Sequence, residues 1–358
     1  MARAAIIGAT GVVGQQFIVA LQDHPWFEIA KLAASDRSAG KTYEEAIRDR
    51  SGAVGWYCEE EPNQKVLNMR VDDSSELDVN SVDVVFTAIE SGPAKELEPK
   101  FAKVKPVIST ASTFRYDDDV PMIIPGINSD HSSLLRKQKE KRGWNGFITP
   151  IPNCTTTGLA ITLKPLMEHF GLETVLMTSM QALSGAGRSP GVAGLDILDN
   201  VIPFIPNEED KVQTEILKIL GSCKSDGVKA AQTKVSCTCT RVNVKDGHTE
   251  SVFASTLREC SVDKVKKTMS QFDGDLKSMN LPSAPEKMIV VRDDPYRPQP
   301  KIDRDACDGM ATVVGRVRKD NALQNGIKYL LVSHNTKMGA AKGAVLVSEL
   351  LTEQGFIK

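Results

Sequence analysis

The sequence predicts an α/β chain of two domains, a doubly wound sheet followed by an α+β unit. Up to position 150, short apolar runs alternate with segments of helical period. From Cys154 onward, longer strand-like runs are grouped with helices instead. A length of 358 residues leaves room for two cores.

Ala4 to Ile7 reads as a strand, followed by a glycine-rich turn and a helix to about Gln22. Phe27 to Ala34, Val82 to Ala88, Pro106 to Ser109 and Met122 to Pro125 read as further strands, with a helix over Pro93 to Lys103. In the second unit Thr155 to Phe170 reads as a helix, and Thr174–Leu183, Lys229–Val244 and Thr249–Leu257 as strands. Helices are expected around Val192–Val201, Lys211–Ile219 and Val262–Gln271. Asp294 to Pro300 is a proline-rich loop, and Gly339 to Gln354 an apolar helix suited to packing back on the first domain. The expected division is therefore 1–153 with 335–358, and 154–334.

Hydrophobic residues at 41% and charged residues at 25% are those of an ordinary soluble chain. A formal charge of −2 gives no reason to expect nucleic acid or an anionic membrane as partner. No apolar run approaches the roughly 18 residues of a membrane span. Met1 to Ile7 runs straight into a strand pattern, so no leader peptide is expected. Seven cysteines without paired spacing fit a reducing compartment, the cytoplasm by default. Cys237 and Cys239 have no zinc-site spacing around them and read as core, so no metal is expected.

The turn Gly8-Ala9-Thr10-Gly11-Val12-Val13-Gly14 stands between a strand and a helix. Glycines there allow a tight turn and let the backbone approach a pyrophosphate, whose charge the helix N-terminus favours. That context makes the first domain Rossmann-like and assigns Gly8, Thr10, Gly11, Val12, Val13 and Gly14 to a dinucleotide. The second strand ends in Ser35-Asp36-Arg37-Ser38. Arg37 between Ser35 and Ser38 suits the 2′-phosphate of NADP, whereas Asp36 is the type that holds the ribose of NAD. The run also reads as a solvated turn.

Pro152-Asn153-Cys154-Thr155-Thr156-Thr157-Gly158 leads into an apolar-faced helix and places Cys154 at its N-terminus. The positive end of a helix lowers a thiol's pKa, and its free amides offer an oxyanion hole. Of the five histidines, His24, His131 and His169 sit in ordinary surroundings. His248 follows Asp246-Gly247, a hairpin signal. A two-residue turn there would pair Lys245 with His248 and set Arg241 on the same sheet face.

These motifs resemble those of the aspartate-semialdehyde dehydrogenases, archaeal and fungal branch. The resemblance rests on Pro152 to Thr156, on Gln181-Ala182-Leu183-Ser184-Gly185-Ala186-Gly187, on Glu208 and Lys211, on Arg241 with His248, and on Asn335 with Gly339-Ala340-Ala341. It implies Cys154 as nucleophile and His248 as acid/base. It further implies Gln181, Glu208, Lys211, Arg241 and Arg115 as substrate ligands, and Ser184, Gly185, Asn335 and Gly339 beside the cofactor. The implied reaction is NADPH-dependent reduction of aspartyl phosphate to aspartate semialdehyde through a thioester on Cys154, by a homodimer or homotetramer. Two positions depart from the family pattern, Thr110 where an Asn is usual and His334 where an Asp is common. Two rivals remain: a related thioester reductase acting on N-acetylglutamyl phosphate or malonyl-CoA, and a non-catalytic NADP-binding sensor.

Overall fold

The computed structural model describes residues 1–186, 194–224 and 227–358, with the side chains of 194 and 195 left aside. Gly187 of the Gln181 motif and the start of the helix expected at Val192 lie outside the described residues.

Six parallel strands form the first sheet: β1 (Ala2–Ile7), β2 (Phe27–Ala34), β3 (Val71–Asp73), β4 (Val84–Thr87), β5 (Val107–Ser109) and β6 (Ile148–Pro150). Their order is β3-β2-β1-β4-β5-β6. The order reverses between β1 and β4, and a ligand crevice opens at the carboxyl ends of the strands on either side of such a switch. Ala4 to Ile7 and Val84 to Phe86 are wholly buried, which is why these strands are unbroken apolar runs. The helix Val12–Leu21 packs against the last helix, Ala341–Glu353, so the chain's end returns to the first sheet.

Met122–Pro125 is buried but pairs with no strand, contrary to expectation. The Asn128 side chain takes the place of a neighbouring strand: Oδ1 accepts from the amide of Ile124 at 2.9 Å, and Nδ2 donates to the carbonyl of Met122 at 2.8 Å.

A hairpin of β8 (Ser222–Lys224) and β9 (Gly227–Lys229) lies apart from the second large sheet. That sheet contains β7 (Leu172–Gln181), β10 (Lys234–Arg241), β11 (His248–Thr256), β12 (Ile289–Arg292), β13 (Thr312–Asp320) and β14 (Gly326–Ser333), in the order β10-β7-β11-β14-β13-β12. The expected hairpin across Asp246-Gly247 does not form. β7 lies between β10 and β11, parallel to the first and antiparallel to the second. The register nevertheless gathers the site. Arg241 is opposite Gln181, and Met180 is opposite Thr249, so Arg241, Gln181 and His248 stand in one row on one face. That face is covered by the helices Cys154–Phe170, Glu208–Ile219 and Val262–Ser270. The other face leaves Leu176 41% exposed, with Thr178 exposed and Phe253 half-buried beside it.

Candidate active site

Cys154 opens a seventeen-residue helix whose start is set by Asn153 (17 residues, Cys154–Phe170). The Asn153 Oδ1 accepts from the amides of Thr155 at 2.9 Å and Thr156 at 3.2 Å. An asparagine cap of this kind satisfies donors that the first turn cannot use internally. It also narrows the expected oxyanion hole, because those two amides are already engaged.

The Cys154 Sγ lies 3.1 Å from Nε2 of His248. On the far side of the ring, Nδ1 accepts from the amide of Ala182 at 3.0 Å. A neutral imidazole whose Nδ1 is an acceptor carries its proton on Nε2. The ring therefore presents an N–H to the sulfur. Burial, then the charges of Arg241 and His334, hold the His248 pKa down to about 3. Burial, then the Glu208 carboxylate, pushes the Cys154 thiol up to about 12, with Arg241 and Arg115 pulling the other way. This reverses the sequence expectation of a lowered thiol pKa. Desolvation of the sulfur outweighs the helix end, and the resting pair is a neutral thiol beside a neutral imidazole.

The sulfur faces a cleft of about 650 Å³ between the two sheets. Val13, Ile89 and Thr110 border it from the first domain, and Ser184, Gly185, Glu208, Lys211 and Arg241 from the second. Glu208 is held by its Oε1, which accepts from Nδ2 of Asn153 at 2.8 Å and Nε2 of Gln181 at 3.0 Å. Its Oε2 stands 3.8 Å from Nζ of Lys211. Arg241 is buried, and its Nη1 donates to the carbonyl of Ala182 at 2.8 Å. Arg115 enters from the opposite wall, donating through Nη1 to Glu215 at 2.9 Å and through Nη2 to the carbonyl of Thr110 at 3.1 Å. Its Nε is buried without a partner. The cleft thus holds a nucleophile, two guanidinium groups, an ammonium and one carboxylate, a set matched to a small substrate bearing both carboxylate and amine, with an anionic leaving group.

Known proteins resemble this chain over nearly its whole length. Residues 3–134 match the family model for the semialdehyde dehydrogenase NAD binding domain, and residues 163–338 that for the semialdehyde dehydrogenase dimerisation domain. An aspartate-semialdehyde dehydrogenase of Methanothermobacter thermautotrophicus is 45% identical over 353 residues, covering 99% of each chain.

The chain belongs to the aspartate-semialdehyde dehydrogenase family.

The crystal structure of the Candida albicans family member with NADP superposes with a TM-score of 0.88 at 36% identity, covering 100% of both chains. A malonyl-CoA reductase (NADP) from Metallosphaera sedula is 38% identical over 360 residues, covering 99% of this chain and 98% of its own. Substrates thus differ among close relatives of this family member, and the cleft residues have to decide between them.

The dinucleotide positions fit the cofactor such families use. Gly8 has a φ of +81°, and a Cβ there would fall 2.3 Å from the carbonyl oxygen of Ala88. A Cβ on Gly14 would fall 2.1 Å from the Gly8 oxygen, so only glycine lets the helix Val12–Leu21 approach its strand. That helix has no side-chain cap, leaving its first amides for a phosphate. At the end of β2, Asp36 turns back on its own loop, accepting the Arg37 amide at 2.8 Å. Ser35, Arg37 and Ser38 lie there, beyond the cleft around the sulfur.

Gln181 and His248 stand behind the cleft wall, and both are buried. Asn335, expected to face the cofactor, has both ends of its amide engaged by the protein. Oδ1 accepts from the Gly247 amide at 2.8 Å, and Nδ2 donates to the Ser184 hydroxyl at 2.8 Å. Gly339 approaches the nucleophile so closely that a Cβ on it would lie 2.9 Å from that of Cys154. Of the two departures, Thr110 donates its hydroxyl to the Thr87 carbonyl at 3.1 Å. His334 is buried, its Nδ1 accepting from the amides of Thr336 and Lys337 at 3.4 Å.

Sequence reasoning missed Glu215, which touches Arg115 and Asn153 at once. Its helical spacing was visible in the sequence, but its burial was not. Glu208, Lys211, Glu215 and Lys218 recur at helical spacing, a polar stripe beside the buried Val212, Ile216 and Ile219.

Proposed function

We propose that this chain reduces aspartyl phosphate to aspartate semialdehyde and inorganic phosphate, with NADPH as reductant, through a thioester on Cys154. The observation that carries the reading is the 3.1 Å approach of Cys154 Sγ to an imidazole N–H, in a cleft that also holds Arg115, Lys211, Arg241 and Glu208.

Arg241 takes the substrate carboxylate, the free side of Glu208 its ammonium, and Arg115 with Lys211 the phosphate. Gln181 keeps Glu208 and Arg241 aligned. The Cys154 sulfur attacks the acyl carbon, and the C–O bond to phosphate breaks. The thiol proton leaves on the phosphate, so this step balances without a separate base. Bound in the glycine turn, with Ser35, Arg37 and Ser38 on its 2′-phosphate and Ser184, Gly185, Asn335 and Gly339 beside its nicotinamide, NADPH supplies the hydride. The Nε2–H of His248 steadies first the sulfur and then the oxyanion on the acyl carbon. One proton is taken up as the sulfur departs as a thiol and the aldehyde is released. Splitting one displacement into two easier steps is what covalent catalysis achieves.

Residues 1–153 and 335–358 bind the dinucleotide, whereas 154–334 supply the nucleophile and a dimer face. Two copies pair through the open face of the second sheet, where Leu176, Thr178 and Phe253 lack a covering layer. A Leu176→Arg variant shifts the protein towards monomer in light scattering if that face is used. Seven free cysteines agree with a cytoplasmic enzyme, and among the described residues no helix is long and apolar enough to cross a membrane.

The test is phosphate-dependent reduction of NADP by aspartate semialdehyde, run beside oxidation of NADPH by malonyl-CoA and by N-acetylglutamyl phosphate. Activity confined to the aspartyl substrate supports the role given to Glu208. Preference for malonyl-CoA, which has no ammonium, removes it, and silence with all three substrates restores the sensor.

A further inference from the structure

The helix Glu208–Ile219 buries two acids as well as its apolar stripe. Glu208 borders the cleft, but Glu215 lies behind it with no exposure to solvent. Its carboxylate is divided between two parts of the site. Oε2 accepts from the backbone amide of Asn153, the residue that caps the nucleophile helix, at 2.6 Å. Oε1 accepts from Nη1 of Arg115 at 2.9 Å and from the Tyr116 hydroxyl at 3.4 Å. Farther along the same helix, Nζ of Lys218 donates at 2.8 Å to each of the carbonyls of Arg115, Asp117 and Val120. One helix thus holds Arg115 by side chain and backbone, and grips the residue before Cys154 with the same carboxylate.

We propose that Glu215 is a positioning residue that fixes the spacing between the Cys154 nucleophile and the guanidinium gripping the leaving phosphate. The phosphate half of this inference rests on the acyl-phosphate reading above; the nucleophile half does not. The physical case is the rigidity of the group. A carboxylate is planar, both of its oxygens are committed, and burial excludes the water that would substitute for either partner. With one N–H of Nη1 on Glu215 and one N–H of Nη2 on Thr110, the guanidinium plane cannot rotate, and the second N–H of each terminal nitrogen is left for an anion in the cleft. With the Asn153 amide pinned, the cap that orients the first turn, and so the sulfur, is pinned as well. Addition of the sulfur to the acyl carbon and expulsion of the held phosphate from the tetrahedral adduct require both at once.

The substitution that isolates this role is Glu215→Gln. It preserves shape but offers a single accepting oxygen, so its amide N–H₂ must face either the Asn153 amide or Arg115, donor against donor. In phosphate-dependent oxidation of aspartate semialdehyde, the KM for phosphate should rise about 10- to 100-fold, the loss expected for a charge-assisted hydrogen bond. The KM for NADP should not change, since Glu215 touches nothing on the dinucleotide side. Alkylation of Cys154 by iodoacetamide, followed against pH, should show a displaced profile in the variant. Glu215→Asp keeps the charge but is one methylene shorter, so it should recover thermal stability while the phosphate KM stays raised. The inference is overturned if Glu215→Gln or Glu215→Asp lowers Tm yet leaves both the phosphate KM and the alkylation profile at wild-type values, as a purely structural acid would. If the wild type itself shows no phosphate-dependent turnover, the acyl-phosphate reading fails. The alkylation profile still decides the hold on Cys154: a displaced profile keeps that half, and an unchanged one removes it.

Discussion

The backbone amide of Ala182 donates to Nδ1 of His248 at 3.0 Å, and that bond determines what the ring can offer Cys154 on its other side. It forces the proton onto Nε2, 3.1 Å from the sulfur. An imidazolium would turn a second N–H against the Ala182 amide, so the cation is penalised by geometry as well as by burial. In the proposed reaction His248 is accordingly a fixed donor to sulfur and oxyanion, in place of the acid/base role that the resemblance implies.

The first prediction concerns that ring. With its pKa held down to about 3 by burial and by Arg241, His248 stays neutral wherever the enzyme works. Nitrogen NMR of ¹⁵N-histidine-labelled enzyme, with His248 assigned by the His248→Gln variant, should give a neutral Nε2–H ring that does not titrate between about pH 5 and about pH 8. A His248 signal titrating near the ordinary imidazole value would contradict the assigned tautomer. His248→Gln, which can still present an N–H, should retain more turnover than His248→Ala.

Cofactor choice supplies the second. Asp36 is folded onto its own loop, and among the described residues the Arg37 guanidinium has no hydrogen-bond or ion-pair partner, so it is available to a 2′-phosphate. Arg37→Ala should raise the KM for NADP by about 10- to 100-fold, the value of a bidentate charged contact, and leave the KM for NAD nearly unchanged. Equal effects on both cofactors would mean that Arg37 does not read the phosphate.

A third prediction links a buried acid to stability. Glu98 is fully buried beneath the crevice, with the hydroxyls of Thr87 and Ser109 both donating to its Oε1 at 2.6 Å. Burial raises its pKa from 4.5 to about 7 against the pull of those hydroxyls and Arg115. Below the unfolded value both states are protonated and nothing is lost. As pH rises from there through the folded value, the unfolded chain ionises more easily, and the fold loses on the order of 3 kcal/mol. Glu98→Gln removes that loss while keeping an acceptor for both hydroxyls. Its Tm relative to wild type should therefore climb between about pH 5 and about pH 8.5. A difference independent of pH would show that Glu98 does not titrate in this range.

The first domain was legible because its central strands are buried on both faces, and Ala4–Ile7 and Val84–Phe86 are accordingly unbroken apolar runs. β3 and β6 escaped because a strand as short as Val71-Asp72-Asp73 has no period to detect. Met122–Pro125 misled for the opposite reason, an apolar run whose backbone is satisfied by the Asn128 side chain. In the second domain, Asp246-Gly247 carries a true local turn signal, yet β7 intervenes between the flanking strands. Strand order is fixed by contacts distant in sequence, which local turn chemistry does not report. The long strands β13 and β14 went unread although their apolar runs are plain.

At the site, motif residues such as Cys154, His248, Arg241 and Glu208 were recognisable by kind. Their electrostatics were not. A cysteine at a helix start reads as an activated thiol, and only the packed structure reveals that desolvation raises its pKa instead. Glu215 was obscured because, in a helix, a buried acid and a solvated one look alike until the neighbouring domain is in place.

The central claim is that Cys154 carries the acyl group between loss of phosphate and arrival of hydride. Mixing the enzyme with aspartyl phosphate in the absence of NADPH, quenching in acid and measuring the intact and peptide masses tests it directly. An aspartyl adduct on the peptide containing Cys154, absent from Cys154→Ala and discharged on adding NADPH, is the predicted result. Turnover by the wild type with no such adduct, or substantial turnover by Cys154→Ala, would contradict it.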